Sequence, residues 1–147
     1  MSGEAAAMAA TTTSSANKAS ARKVLEEVFP AEDEAALAGL VSPQFVNHEA
    51  PEGTPPGLGA ITYFMHLLHR SFSEQRWTIQ DIVEEGDLVA VRCTHSGRHT
   101  GEPFFGMPAR GREFSYHQMH LLRMRDGVAL EHWEVRDDAT MTRQLTG

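Results

Sequence analysis

Apolar residues recur along this chain with two different periods, and the change falls near Arg76. Upstream the spacing is helical. Val24, Leu25, Val28 and Phe29 mark one face of a short helix, with Ser20 as its predicted N-cap and Pro30 as its stop. Leu37, Leu40 and Val41 mark a second short helix, ended by Pro43. Glu32, Asp33 and Glu34 sit at its start, where acidic side chains suit the helix dipole. Phe45 to Ala50 reads as a short extended piece. Pro51 to Gly59, with three prolines and three glycines, reads as a loop. Ile61, Phe64, Met65, Leu68 and Phe72 give the clearest helix.

Downstream the period is two. Trp77, Ile79 and Asp81 alternate with Thr78, Gln80 and Ile82, and Glu84 to Asp87 makes a turn. Leu88 to His95 is a second strand, followed by a glycine- and proline-rich loop from Gly97 to Gly111. Phe114 to Met124 and Val128 to Arg136 are two more strands joined at Asp126-Gly127, a strong turn signal. Asp138 to Leu145 is a closing helix. Helices first and strands later predict an α+β fold. N-terminal helices would pack on a curved antiparallel sheet and enclose a cone-shaped cavity.

The chain has 147 residues and a formal charge of −7. This suits one domain, predicted over residues 20–147, with 1–19 as a disordered tail rich in Ala, Thr and Ser. The acidic balance argues against nucleic acid, whose phosphates need a basic face. No apolar stretch approaches the ~20 residues of a membrane span. The N-terminus carries no basic residue before Lys18, unlike a signal peptide, and the single cysteine, Cys93, cannot form an internal disulfide. Both features predict a cytoplasmic protein. Cys93 lies in an alternating apolar run and is predicted to be a buried hydrophobe.

The candidate chemistry lies in the last two strands. The more apolar face of the third reads Phe114, Tyr116, Gln118, His120, Leu122, Met124. Three successive polar groups on an inner face need partners or a ligand. In the fourth strand Leu130, His132, Glu134 and Arg136 share one side, and Ala129, Glu131, Trp133, Val135 and Asp137 the other. A two-residue turn sets His120 opposite Trp133; a three-residue turn sets it opposite Glu134. The pattern alone allows both. In the second register Gln118, His120 and Glu134 line one patch. A carboxylate in an apolar pocket is a good base near neutral pH, and a histidine and an amide can hold an enolate oxygen. Metal sites are less well marked. His66 and His69 lack a third ligand and are assigned to a solvated face, while His117 and His120 point to opposite faces. No phosphate or dinucleotide fingerprint is present.

Short motifs add to this in order: Phe45-Val46-Asn47-His48; Gly97-Arg98-His99-Thr100-Gly101 with Phe105-Gly106-Met107-Pro108; His117-Gln118-Met119-His120; Arg125-Asp126-Gly127; Glu131-His132-Trp133-Glu134; and Arg143-Gln144-Leu145. From Phe45 onward the chain resembles the SnoaL-like polyketide cyclases, or ester cyclases. The resemblance implies the α+β cone of the nuclear-transport-factor and ketosteroid-isomerase type. It also implies an intramolecular aldol condensation without metal or cofactor, on a small apolar or aromatic keto ester. In this family the acidic residue after the Trp acts as acid and base, and a Gln-x-His pair binds substrate oxygen. By position these are Glu134, Gln118 and His120, which supports the three-residue turn. The family residue is usually Asp. The extra methylene of Glu134 moves the carboxylate by roughly an ångström, a shift able to change rates on the order of a hundredfold.

His48 is predicted to contact substrate, and Phe105, Met107, Phe114 and Tyr116 to shape apolar walls. A homo-oligomer, dimer or tetramer, would use the sheet face holding Trp133 and Val135. Two rival functions remain: a hydroxylase or epoxide-opening enzyme, which needs Asp137 or Asp81 turned inward as a second carboxylate, and a binding protein without catalysis.

Overall fold

The computed structural model describes residues 16–147. Helix α1 is already formed at residue 16 and runs to residue 31. Ser20 is therefore inside the helix and not its cap. Residues 16–19, assigned above to a tail, are helical, while residues 1–15 lie outside the described residues. The anchor is long-range. Buried Asn17 donates to Glu84 Oε1 at 3.1 Å and accepts from the Gly127 N–H at 2.8 Å, and local composition gives no sign of either bond. Val24–Val28 form a π-turn, with the Phe29 N–H bonded to the Val24 carbonyl. Pro30 has no N–H to give and clashes with the carbonyl four residues back in a regular helix; the wider turn just before it relieves both problems. The helix ends one residue later, at left-handed Glu32.

Helix α2 (Glu34–Leu40) is capped by Asp33, whose carboxylate accepts from the Ala36 N–H at 3.0 Å. It stops at Leu40, before the predicted end. Val41 and Pro43 belong to strand β1 (Val41–Asn47). Helix α3 (Leu58–Ser71) follows the proline-rich loop as the apolar spacing predicts. Then come β2 (Phe72–Glu85), β3 (Leu88–His99), β4 (Glu113–Arg125), β5 (Val128–Arg136) and helix α4 (Asp138–Thr146), capped by Asp137.

The sheet order is β1-β5-β4-β3-β2. The fold is α+β, but the sheet is mixed, because β1 runs parallel to β5 along its edge. Period two marks a strand without stating its direction. Pro43 is tolerated there because an edge strand has a side that needs no N–H. Strand β3 also runs past its predicted end, through Gly97 to His99. A Cβ on Gly97 would lie 2.9 Å from the Phe114 ring, so this glycine serves close packing inside a strand and not a loop.

The β4–β5 hairpin settles the register by a device absent from both alternatives. The turn has two residues, Asp126 and Gly127, both left-handed, and Arg125 pairs with Val128. A bulge at Leu130 then shifts the ladder, so that Met124 pairs with Ala129 but Arg123 with Glu131. From there His120 faces Glu134. The three-residue turn favoured above is replaced by a two-residue turn plus a bulge. Ala129 consequently joins His132 and Glu134 on the inner face.

Helices α1 and α3 cover the concave side of the sheet. Leu37, Met65, Val89, Val91, Cys93 and Met124 are fully buried there. Burial pushes the Cys93 thiol up to about 12, which leaves it unreactive, as its apolar setting predicts.

Candidate active site

Between the helices and the sheet lies a cavity of about 70 Å³. Its roof is apolar, with Val24 and Leu25 from α1 and Ile61 and Phe64 from α3. Its polar groups come from the strands. Asn47 enters from β1, Tyr116, Gln118 and His120 from β4, and His132 and Glu134 from β5.

These side chains form one hydrogen-bonded row. His120 Nε2 lies 2.8 Å from Gln118 Oε1, and His120 Nδ1 lies 2.8 Å from His132 Nε2. His132 Nδ1 reaches Asn47 Oδ1 at 3.0 Å. On the other side Gln118 Nε2 donates to the Tyr116 hydroxyl at 3.0 Å, which meets buried His95 Nδ1 at 3.1 Å. His95 is stacked on Trp77 and bonded to Gln75. Glu134 is bracketed: Oε2 lies 3.6 Å from His120 Nδ1, and Oε1 accepts from Arg136 Nη1 at 3.2 Å.

Electrostatics follow from burial. Desolvation raises the Glu134 carboxyl above the usual carboxylate range, opposed by Arg136. Burial pushes His120 well below the usual imidazole value, His132 to about 4 and His95 to about 3. Burial also raises the Tyr116 phenol.

Four of the predicted site residues, Gln118, His120, Glu134 and Tyr116, thus meet in one cavity. The other four do not line it. His48 is on the outer face, bonded to Glu131 at 2.9 Å and stacked on Trp133. The sequence motif was off by one position, since its neighbour Asn47 is the inward residue. Phe105 is 62% exposed at the tip of the Phe104–Met107 turn, with φ 44°. Met107 packs half-buried against the core. Phe114 is buried beneath Tyr116, against Phe72 and His95. Asn47, His132 and Arg136 were missed as site residues, although His132 and Arg136 share the alternation of Glu134. His66 and His69 are not merely solvated. His66 bridges Glu32 and Glu34, and His69 donates to the Phe29 carbonyl, so both pin α3 to the chain leaving α1.

His120, His132 and Glu134 place donor atoms within 4.8 Å of one another, a spacing a metal ion could use. The charge set does not suit one. Arg136 already neutralises the carboxylate, and a divalent cation would sit beside its guanidinium. The residues fit acid–base chemistry better. Neither Asp81, which is exposed and paired with Arg92, nor Asp137, which caps α4, turns inward. Among the described residues lining the cavity, Glu134 is the one carboxylate, and water activation would require a second.

The family profile of the SnoaL-like polyketide cyclases matches residues 19–145. The chain belongs to this family. It is 33% identical to the aklanonic acid methyl ester cyclase of Streptomyces peucetius, over 74% of this chain and 77% of that protein. It is also 33% identical to the nogalonic acid methyl ester cyclase of Streptomyces nogalater, over 71% of this chain and 79% of the relative. Among solved structures, IdmH from Streptomyces antibioticus superposes with a TM-score of 0.77 at 32% identity, covering 89% of this chain and 99% of that one. TsrD from Streptomyces laurentii gives 0.82 at 25% identity, covering 90% and 96%. This member of the polyketide cyclases carries Glu134 after Trp133, and its carboxylate lies between His120 and Arg136. No helix among its described residues is long and apolar enough to cross a membrane.

Proposed function

We propose that this polyketide cyclase closes a ring in an aromatic keto ester by intramolecular aldol condensation, with Glu134 as acid and base. The observation that carries this is a largely buried carboxylate of raised proton affinity, 3.6 Å from His120, in a cavity roofed by apolar side chains. Glu134 takes the proton alpha to a carbonyl, and the electron pair moves to that oxygen as an enolate. The Gln118–His120 pair faces the developing charge. The enolate carbon attacks a second carbonyl of the same molecule, a C–C bond forms, and the new alkoxide recovers the proton from Glu134. Atoms balance within the substrate, so the product is an isomer. Neither metal nor cofactor is required by this scheme.

A cavity of about 70 Å³ is smaller than the roughly 300 Å³ of small-ligand pockets. A substrate of that size requires the lining of the cavity to give way. The outer sheet face, with Met119, Leu121 and Val135 exposed around Trp133, supports a homodimer packed sheet to sheet. The single buried thiol agrees with a role in the cytoplasm.

The test is turnover of an aromatic β-keto ester by wild type and Glu134→Gln, read by mass. A cyclised product of unchanged mass, formed about a hundredfold more slowly by the variant, is expected. Equal turnover by both proteins removes Glu134 from the mechanism. A product heavier by one oxygen rejects the aldol reading.

A further inference from the structure

His66 stands on α3 with a carboxylate against each ring nitrogen. Glu32 Oε2 lies 2.7 Å from Nδ1, and Glu34 Oε2 lies 3.1 Å from Nε2. An ionised carboxylate only accepts, and a neutral imidazole has one N–H to give. Both contacts are hydrogen bonds only when the ring carries two protons. Turning the ring over would set carbon atoms against both acids, so the other ring placement satisfies neither. His69, three positions on, is held differently. Its Nε2 donates to the Phe29 carbonyl at 2.6 Å, which needs only the neutral ring, and its Nδ1 lies 3.9 Å from Glu32 Oε1. Asp33 is occupied in capping α2, and Arg70 pairs with Glu102. The charged and titratable groups facing His66 are thus Glu32 from the end of α1, Glu34 from α2 and His69 from α3 itself.

These bonds tie together the two helices that roof the cavity. α3 packs chiefly on β1, and Val24–Ala31 of α1 on β2, at opposite edges of the sheet. Val24 and Leu25 line the cavity from one helix, Ile61 and Phe64 from the other. We propose that His66 is a pH-operated clasp on this roof: its charged ring holds α3 to the end of α1, and loss of one proton loosens the roof so that it parts to admit a ligand. The inference concerns access and not chemistry, and it rests on the aldol reading only for the identity of what enters. The hydrogen bonds to Glu32 and then Glu34 raise the proton affinity of His66 above the ordinary 6.5, against an opposing effect of burial. The clasp is therefore complete below 6.5 and is lost as pH rises through the higher native value. A neutral His66 turns a lone pair toward one carboxylate, and that bond breaks. His69 donates in either protonation state, so its bond to Phe29 persists as the hinge.

Two measurements on the wild-type protein test the clasp without substrate. An NMR titration gives the midpoint of His66, and hydrogen exchange of the α1 and α3 amides, corrected for the intrinsic rate at each pH, gives the closure of the roof. Protection should fall about threefold across the His66 midpoint, the scale of a small exposed ion-pair network. His66→Gln should hold the lower protection at every pH, and Glu34→Gln should move the midpoint down. Protection that stays constant through the midpoint, or a fall that persists in His66→Gln, overturns the proposal. Should His66→Gln fail to fold, the shifted midpoint of Glu34→Gln carries the same test. With the aromatic β-keto ester, KM should fall across that midpoint in wild type and not in His66→Gln. Failure of the ester to react sinks the aldol reading, while hydrogen exchange still decides the clasp.

Discussion

Glu134 faces His120 across the β4–β5 ladder because Leu130 is bulged out between them and the turn. Were Leu130 paired with Arg123 instead of bulged, the same two-residue turn would set Trp133 opposite His120 and turn Glu134 to the outer face. The bulge therefore sets the register of the site.

Deleting Leu130 should remove the bulge and keep the pairing, since Ala129 and Glu131 already pair with consecutive residues of β4. The shortened hairpin should fold and keep Glu134 turned inward. Circular dichroism and the mass-resolved assay check this. Loss of all turnover in a folded protein would mean that the twist of the bulge matters as well as the register.

In the proposed mechanism Arg136 tunes the pH at which Glu134 works as base. Its positive charge, 3.2 Å from Oε1, opposes the upward push of burial. Arg136→Met removes that charge, so the carboxyl holds its proton to higher pH. The base must be ionised, and the acid limb of kcat/KM should therefore move up. An unmoved limb would place Arg136 outside the electrostatics of the base.

His95 should make the fold acid-sensitive. Its native value is pushed down to about 3 by burial, against the ordinary 6.5 of the unfolded chain. Between those limits the unfolded state binds a proton that the native state refuses. Stability therefore falls as pH drops below 6.5, by about 1.4 kcal/mol per unit. Urea midpoints at pH 6.5 and 4.5 for wild type and His95→Gln measure this. The variant should be less stable at neutral pH, having lost its stack on Trp77, but should lose less on acidification. Equal losses would move the acid sensitivity elsewhere.

Val135 tests the proposed dimer. It is 76% exposed and pairs with exposed Met119 across the ladder. Val135→Glu should convert a dimer to a monomer in analytical ultracentrifugation without moving the inner face. A wild-type monomer would dispose of the sheet-to-sheet interface.

Much of this was legible in the sequence wherever a repeating pattern carried it. The alternation of Phe114 to Met124 placed Tyr116, Gln118 and His120 inward, and helical spacing found α3. Errors came where one residue changes the outcome. His48 and Asn47 are adjacent and point to opposite sides. Leu130 shifts a register that no turn rule contains. Phe105, in a loop of apolar residues, looked like a wall and is a left-handed turn tip. The direction of β1 depends on its pairing with β5, which lies far along the chain. Asn17 sits in a stretch whose composition suggests disorder, and its two bonds span 67 and 110 residues of sequence.

Those two bonds also decide how short a working version of the chain can be. Asn17 joins the end of β2 and the turn before β5 to the start of the roof. A truncation past it removes none of the candidate site residues but frees the helix above them and the turn of the hairpin that carries them. The N-terminal limit of the active protein is thus set by the far ends of the sheet.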